Sequence, residues 1–383
     1  MFSLLLSDIQ QSVWDEAKRF AQERIAPGAI ERDKTETFQR EIFDEMAELG
    51  FLGMMVPEEY NGAGLDEVSY VLSLKEISKA DASVGVVVSV HNSLVNWIFL
   101  HYGSDLLKDK YLRQCAMGKY IGAYSLSEPE AGSDARAIRT LAEKNGSSWI
   151  LNGTKNWVTT GKNADIYVVF AQTNRSYDYH GITAFAIEKG TPGFEPLKQE
   201  EKMGLHGSDT AAISLTNVRI PQENIIGQIG QGFYIAMQAL NGGRIGIASQ
   251  AWGIAEGALE KSITYVKQRK TMGTLISEHE LIQYKLAQMS MKVSAAEMLV
   301  LKAAYLRDNN LNHIRAASEA KLYASTIANE VTRDAVQIFG GYGYTREYEV
   351  ERLMRDAKVT EIYEGTSEIQ NIVIARQLLK EYE

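Results

Sequence analysis

The first 120 residues carry apolar side chains at helical spacing. Apolar residues recur every three or four positions in 7–23, 38–49 and 68–80, which predicts amphipathic helices there. Glycine and proline interrupt this pattern at 56–57 and 61–64, so these positions predict loops between the helices. The spacing therefore predicts a helical N-terminal region.

The pattern changes between about residue 121 and residue 228. Short runs of β-branched and aromatic residues occupy 165–171, 182–188 and 211–218, and polar or glycine-rich segments separate them. Asn152-Gly153 follows another such run and is a strong turn signal. Strands without intervening helices predict an antiparallel sheet or a small barrel.

Helical spacing returns from about residue 229 to the end. One apolar stripe consists of Ile282, Leu286, Met289, Val293 and Ala296. Long helices with short connections favour a bundle. We therefore predict an α+β chain with a helical domain over 1–120, an antiparallel β domain over 121–228 and a helical bundle domain over 229–383.

Composition and charge exclude several classes of protein. Apolar residues are 45% and charged residues 23% of the chain, which excludes a disordered or low-complexity sequence. The 40 basic and 49 acidic residues give a net charge of −9, which disfavours broad binding of nucleic acid or anionic membranes. Cys115 is the only cysteine, so an intrachain disulfide and cysteine-rich metal sites are excluded.

No segment of the sequence predicts export or a membrane span. The start, MFSLLLSDIQ, lacks a basic region before its apolar run and meets Asp8 at once, so we expect the lead-in to a helix. The apolar segment 83–100 is interrupted by His, Asn and Ser residues between 91 and 96, which favours a buried helix. With a single thiol, these features predict a cytoplasmic protein.

Metal chemistry and common nucleophile motifs have no support in the sequence. None of the six histidines lies at H-x-x-x-H spacing from another, so a histidine-based zinc site is not predicted. The G-x-S-x-G and Walker A patterns are absent from the sequence. We therefore predict no metal.

Two stretches have a composition that core packing does not explain. The segment 124–134, YSLSEPEAGSD, combines small residues and hydroxyls, so it suits either a tight interdomain loop or backbone N–H groups free for an acceptor-rich ligand. In 362–370, IYEGTSEIQ, Glu364 precedes a potential helix cap at Thr366 or Ser367. That helix start suits a phosphate or an oxyanion, but Glu364 also suits a solvated turn.

Two further segments have both a structural and a ligand-binding interpretation. Trp157 in 155–161, KNWVTTG, is flanked by hydroxyls and can stack on an aromatic ring, or it can simply be a core residue. The glycines of 337–343, QIFGGYG, can end a helix or allow the close approach of a ligand. Residue types alone leave both questions open.

Six segments in this order resemble those of the acyl-CoA dehydrogenase family. They are YSLSEPEAGSDA, NWVTTG, GGRIGIASQAWGIAEGALE, QRKTMG, QIFGGYGY and RLMRDAKVTEIYEGTSEIQ. The resemblance runs from about residue 121 to the end and is nearest to the short-chain, butyryl-CoA type. It implies an N-terminal helical domain, a middle β domain and a C-terminal four-helix domain.

The resemblance also implies an FAD-dependent reaction of fatty acid β-oxidation. Members of the family remove two hydrogens across the Cα–Cβ bond of an acyl-CoA thioester, and Glu364 matches the base that takes the α-proton. The developing enolate needs hydrogen-bond donors placed in advance. A carboxylate screened from water has a raised pKa and is a stronger base. The implied electron acceptor is an electron-transfer flavoprotein, and the implied assembly is a homotetramer.

Residue-by-residue matching to the family assigns the remaining site positions. Arg269 and the 337–341 turn match positions that reach the cofactor of a neighbouring subunit. The cofactor positions are Tyr124, Leu126, Ser127, Gly132, Ser133, Trp157, Val158, Thr159, Arg269, Gln337, Ile338, Phe339, Gly340, Gly341, Thr366, Ser367 and Glu368. The substrate positions are Ser133, Asn241, Arg244 and Gly365.

Three positions depart from patterns in the family. Some relatives carry the base where Gly243 stands, which assigns the base to Glu364 here and disfavours an isovaleryl-CoA type. Asn241 replaces a frequent aspartate, which alters the expected acyl-CoA contact. Glu280 replaces a common FAD-binding glutamine, and since Ser277 and Glu280 form an S-x-x-E pattern, we favour a capping box and leave Glu280 out of the cofactor set.

The alternatives concern the acceptor, turnover and chain length. An acyl-CoA oxidase would pass electrons to oxygen, but oxidases are commonly longer than this chain. A helical scaffold without turnover would not need Glu364, Arg244 and both predicted FAD loops. Bulky valines at 86, 87, 88 and 90 can shorten the acyl pocket or belong to the core, so branched- and medium-chain substrates stay open.

Overall fold

The computed structural model describes residues 6–382. The predicted lead-in over residues 1–5 therefore lies outside the described residues. Helix α1 starts at Asp8 because Ser7 caps it, with reciprocal hydrogen bonds between Ser7 and Gln10.

The N-terminal region is helical, as its apolar spacing predicts. Its helices are α1 Asp8–Phe20, α2 Ala29–Thr35, α3 Arg40–Glu48, α4 Glu67–Ala80, α5 Ala82–Ser89, α6 Trp97–Tyr102, α7 Asp105–Leu107 and α8 Arg113–Ala116. A π-helical segment, Val90–Asn96, joins α5 to α6. The continuous helix Ala82–Tyr102 is long and apolar enough to cross a membrane, but 89% of its most apolar window is buried inside the protein. That burial is typical of a core helix.

The middle region is a mixed eight-stranded sheet. Its strands are β1 Gly122–Ser125, β2 Leu141–Asn145, β3 Ser148–Thr159, β4 Ile166–Gln172, β5 Ile182–Glu188, β6 Phe194–Gln199, β7 Thr210–Pro221 and β8 Ile225–Ile226. The order is β6-β7-β3-β2-β4-β5-β8, and β1 pairs with β4. Most pairs are antiparallel as predicted, but β1 and β2 both run parallel to β4. Their pairing is non-local, and alternation within one strand does not reveal it.

Strand β4 is buried on both faces. Ile166, Val168 and Phe170 join the core that the sheet shares with the helices. Tyr167 and Val169 point the other way, into a second core enclosed by the strands. This explains why β4 reads as a continuous apolar run without polar alternation.

Four long helices and one short helix form the C-terminal region. They are α9 Gly232–Val266, α10 Glu280–Asp308, α11 Ile314–Phe339, α12 Val350–Val359 and α13 Ser367–Glu381. The predicted four-helix bundle corresponds to the long helices, and α12 is an addition. Every residue of α9 from Asn241 to Ala255 is buried, so this helix is the centre of the molecule.

A short hairpin, β9 Lys270–Thr271 and β10 Thr274–Leu275, separates α9 from α10. Met272 and Gly273 form its turn with φ of 50° and 84°. This backbone twist suits a tight two-residue hairpin.

Candidate active site

Glu364 lies on the turn between α12 and α13, with its backbone in the left-handed region. Its φ is 50° and that of Gly365 is 93°. Such a backbone costs a non-glycine residue about 1–3 kcal/mol, and it is often found at functional sites. Thr366 closes the turn as the N-cap of α13, because its Oγ1 accepts a hydrogen bond from the Ile369 N–H. The cap fixes the direction in which the Glu364 side chain leaves the backbone.

The Glu364 carboxylate packs directly on α9 at Gly243. A side chain at position 243 would overlap Oε2 of Glu364 and crowd Leu94, so glycine permits the close approach. Both carboxylate oxygens are buried and have no hydrogen-bond partner within residues 6–382. Burial raises the pKa of Glu364 to about 7, and the cations of Lys321 and Arg244 oppose that rise. The carboxylate is therefore suited to accept a proton near neutral pH.

Arg244 adds a buried guanidinium to the same stretch of α9. The residue is 6% exposed, and its Nη1 donates to Asn241 Oδ1 at 2.9 Å. Its buried Nε has no partner in the described part of the chain. Because Asn241 is neutral, it orients the guanidinium without cancelling its charge. Arg244 is thus a charged donor free for an acceptor-rich ligand.

A buried ion pair fastens the loop that leaves β1. Lys155 Nζ donates to Glu128 Oε1 at 2.7 Å and to the Leu126 carbonyl at 3.0 Å. The Glu128 carboxylate also accepts hydrogen bonds from the backbone N–H groups of Arg139 and Thr140. Both ends of the loop are therefore held over β3 by one carboxylate.

Of the predicted loop residues, Tyr124 lies near the Glu364 carboxylate, and Gly132 and Ser133 are exposed. The Tyr124 hydroxyl is buried without a partner among the described residues, and the pKa of Tyr124 is raised by burial and by the charge of Glu364. Ser127 ties the loop to β3, since its carbonyl accepts from the Asn156 N–H at 2.9 Å. A Cβ placed on Gly132 would meet no atom within 4 Å, and Ser133 is exposed next to it.

Trp157 sits in a bulge of β3 and points outward. The pairing of β3 with β7 shifts register between Lys155 and Val158, and Trp157 has a φ of 59° with 62% of its surface exposed. An exposed indole in a fixed backbone suits a flat ring system. Val158 points inward and is fully buried in the sheet core, so its predicted cofactor contact is restricted to its backbone. Thr159 is half-buried.

A second group of predicted residues lies at the far end of α11. Arg269 and Ile338–Gly341 line one cavity of about 600 Å³, and a Cβ on Gly340 or Gly341 would meet nothing within 4 Å. Gln337 is exposed beside it. Lys321 contacts the Glu364 turn, and Ile338 lies 17 residues farther along the helix, about 25 Å away. The chain thus forms two separate groups and does not bring all predicted cofactor residues together.

Models of three acyl-CoA dehydrogenase domains match the chain in order. The N-terminal domain matches residues 7–119, the middle domain 123–218 and the C-terminal domain 230–379. A curated acyl-CoA dehydrogenase of Bacillus subtilis (strain 168) is 48% identical over 94% of this chain and 95% of its own length. The chain belongs to the acyl-CoA dehydrogenase family.

Solved structures agree with this assignment over nearly the whole chain. The butyryl-CoA dehydrogenase of Megasphaera elsdenii is 45% identical, covers 98% of this chain and 99% of its own, and has a TM-score of 0.96. A chain solved in work on the electron transferring flavoprotein of Acidaminococcus fermentans is 48% identical, covers 98% of both chains and has a TM-score of 0.97. The expected family and three-domain fold are confirmed.

Acyl-CoA dehydrogenases are FAD-dependent oxidoreductases that act on a CH–CH bond, so the expected enzyme class and cofactor are also confirmed. The site of this acyl-CoA dehydrogenase fits FAD in its own geometry. The outward indole of Trp157, the open surface at Gly132 and the unpartnered hydroxyl of Tyr124 suit a flat, acceptor-rich group. When bound there, FAD supplies the acceptor for two electrons and the β-hydrogen.

One sequence prediction at the start of α10 is wrong. Glu280 is the first residue of α10 and His279 is its N-cap, with no side-chain capping hydrogen bond. Ser277 belongs to a separate 3-10 turn, Ile276–Glu278, so it does not form a capping box with Glu280. The Glu280 side chain is exposed and takes part in no capping box, because α10 starts later than the S-x-x-E pattern predicts.

The remaining predicted residues flank the Glu364 turn. The Ser367 N–H donates to the Glu361 carbonyl at 2.9 Å, which stabilises the turn. Glu368 is exposed in the first turn of α13. Sequence reasoning missed Glu128, Lys155, Lys321 and Gln370, which hold the loops from beneath. Only Lys155 has a signal in the sequence, because it is a lysine at an inward-facing position of β3. The other three have none, because their partners are distant in sequence.

Proposed function

We propose that this chain is a short-chain acyl-CoA dehydrogenase that forms trans-2-enoyl-CoA and passes electrons to an electron-transfer flavoprotein. The observation that carries the proposal is the buried, unpartnered Glu364 carboxylate against Gly243. This carboxylate takes the α-proton of the bound thioester. Transfer leaves Glu364 neutral, which burial favours. The proposal includes a place in fatty acid β-oxidation.

The proposed direction of the acyl chain follows from the burial of α9. Before Asn241, only one side of α9 is buried and residues such as Tyr234 and Gln238 are exposed or half-buried, whereas 241–255 are all buried. A large, polar CoA group is accommodated at the accessible N-terminal side, which leaves the buried side for the acyl chain. Arg244 lies at the boundary and suits the acceptor atoms of the thioester and its pantetheine.

Tyr70 and Ser89 support a short acyl chain. Gly243 and Gly246 lie on the same face of α9, with Cβ positions about 5–6 Å apart. A Cβ on Gly246 would lie 2.5 Å from Ser89 Oγ and 2.7 Å from Tyr70 Oη. The two hydroxyls are hydrogen-bonded at 3.4 Å and their residues are fully buried. They close the space one helical turn beyond the base, while Val86, Val87, Val88 and Val90 are buried in the core.

The first test is anaerobic bleaching of the yellow holoprotein by acyl-CoAs. We expect butyryl-CoA to reduce the bound, non-covalent FAD faster than octanoyl-CoA or isovaleryl-CoA. Reoxidation should be fast with an electron-transfer flavoprotein and slow with oxygen. A colourless protein that takes up no FAD would refute the proposal, and fast reoxidation by oxygen would indicate the oxidase alternative.

Replacing Tyr70 should change the preferred chain length. Tyr70→Leu removes the ring and hydroxyl next to Gly246. Hexanoyl-CoA is two methylenes longer than butyryl-CoA, and one methylene in an apolar pocket changes a rate by about tenfold or more, so the bleaching rate with hexanoyl-CoA relative to butyryl-CoA should rise by about 10–100-fold. The control is Tyr111→Leu, an equally buried tyrosine whose hydroxyl bonds Glu188 instead. An unchanged ratio in Tyr70→Leu would show that other residues limit the chain.

We also propose that the protein is a cytoplasmic homotetramer. Exposed apolar side chains repeat every seven residues along α10, which keeps them on one face. They are Tyr284, Met291, Met298 and Tyr305. A second copy of the chain is a suitable partner for this face, and such an assembly would bring the Arg269 cavity to a neighbour's cofactor. The domain boundaries near 120 and 228 stay predictions.

Charge on the α10 face should dissociate the assembly. Met291→Glu combined with Met298→Glu places carboxylates within the proposed interface, so we expect smaller particles and loss of FAD in sedimentation experiments that follow flavin absorbance. Glu substitutions at the exposed Lys144 and Lys198, which lie on β2 and β6 and not on α10, serve as surface-charge controls. A wild-type monomer that holds FAD tightly would contradict the tetramer.

A further inference from the structure

Lys321 is a buried lysine whose place in the fold calls for an explanation. It lies on α11 with no exposed surface, and its Nζ donates to the Gly365 carbonyl at 2.8 Å. Within residues 6–382, no carboxylate comes within 4 Å of this nitrogen. A buried ammonium with only one neutral partner is costly, and a neutral donor would hold the same carbonyl.

Gln370 shows that a neutral donor does fit at this carbonyl. Its Nε2 donates to the Gly365 oxygen at 2.8 Å, and the residue is also fully buried. One carbonyl of the strained turn thus accepts two hydrogen bonds, one from a neutral amide and one from a cation. The hydrogen bond alone does not require a charge at position 321.

We infer that Lys321 is a positioning residue for Glu364, which fixes the Gly365 backbone and keeps the neighbouring carboxylate ionised through its charge. The inference rests on the proposed role of Glu364 as the base. Lys321 touches neither the carboxylate nor the reacting atoms. It acts through the turn and through its electric field across the buried interior, where charges are weakly screened.

Glu364 faces titratable groups from several elements. The two cations are Lys321 on α11 and Arg244 on α9, and the neutral phenols are Tyr70 on α4, Tyr124 on β1 and Tyr363 beside Glu364. The pKa values of the three tyrosines are raised, which keeps them uncharged at neutral pH. Burial raises the pKa of Glu364, and the opposing charge of Lys321 has a larger effect than that of Arg244.

The pKa of Lys321 itself depends on burial and on several nearby charges. Burial lowers its pKa to about 8, and the repulsion of Arg244 acts in the same direction. Glu364, Glu361 and Glu368 oppose this fall. At neutral pH the ammonium is therefore retained. Removing it would raise the pKa of Glu364, so less of the base would be ionised at pH 7.

The test compares Lys321→Met with Gln370→Met in the FAD-loaded enzyme. The rate of bleaching by butyryl-CoA and the exchange of its α-hydrogen in D₂O are measured between pH 5 and pH 9, and the exchange reports on the base alone. In Lys321→Met, the pH midpoint of both should rise by about one pH unit. Gln370→Met should slow both with an unchanged midpoint. Equal midpoints in the two variants would overturn the inference.

One further variant keeps the inference testable if Lys321→Met does not fold. Lys321→Arg retains the charge, so it should keep the wild-type midpoint even where the rate falls. A raised midpoint in Lys321→Arg would overturn the inference. Wild-type enzyme that exchanges no α-hydrogen would refute the proposed function instead, so the two failures are distinguishable.

Discussion

Glu364→Gln is expected to abolish reduction of the flavin by butyryl-CoA while the fold and FAD content stay intact. Glutamine keeps the shape of the side chain against Gly243 but cannot take a proton. General-base catalysis contributes about 10²–10⁴-fold, and we expect at least this loss in the anaerobic bleaching rate. Binding of butyryl-CoA should persist as a perturbed flavin spectrum.

The neighbouring carboxylate cannot replace Glu364. Glu361 pairs with Lys358 at 2.7 Å, and its backbone carbonyl is used by Ser367. Glu361→Gln is therefore the matched control and should reduce the bleaching rate little. Near wild-type bleaching by Glu364→Gln would show that the base lies elsewhere and that the match to the family is wrong at this residue.

Arg244→Ala should lower kcat/KM for butyryl-CoA by about 100-fold, with FAD retained. The guanidinium is buried, charged and held by Asn241, so its loss removes a fixed donor and misplaces the thioester. A misplacement of about 1 Å at a reacting centre can cost about 100-fold. Steady-state kinetics with the electron-transfer flavoprotein measure the effect.

Asn241 gives the matched control for Arg244. Asn241→Ala leaves the charge but removes the 2.9 Å hydrogen bond that orients it, so a smaller loss is expected. Loss of FAD from Arg244→Ala, with normal kinetics in the remaining holoenzyme, would reverse the assignment and make Arg244 a cofactor residue.

Sequence reasoning succeeded where the signal is local. The apolar stripe of α10 gives a helix whose Met289 and Ala296 are fully buried, and the strand runs give the middle sheet. The family motifs identify Glu364 and Arg244, and the fold packs the Glu364 carboxylate against α9 near Arg244. Gly243 leaves room for the Glu364 carboxylate, and this role becomes visible only when the α12–α13 turn packs on α9.

The missed features depend on contacts between distant segments. Nothing around Lys321 distinguishes it from a surface lysine, because its burial results from the packing of α13 and the Glu364 turn. The parallel pairing of β1 with β4 requires a partner more than 40 residues away. The capping box predicted from the S-x-x-E pattern at 277–280 does not form, because Ser277 belongs to a tight turn that precedes α10.

Helix α11 contacts the Glu364 turn at Lys321 and leads at its far end into the 337–341 segment, which is predicted to bind the cofactor, and this arrangement has a genetic consequence. In the proposed tetramer these ends serve different catalytic centres. A substitution at Gly340 would inactivate the catalytic centre of a neighbouring subunit, while the Glu364 base of the substituted chain would stay intact. Two inactive alleles, one without Glu364 and one altered at Gly340, would therefore complement each other when co-expressed, because mixed oligomers contain centres assembled from the two intact halves.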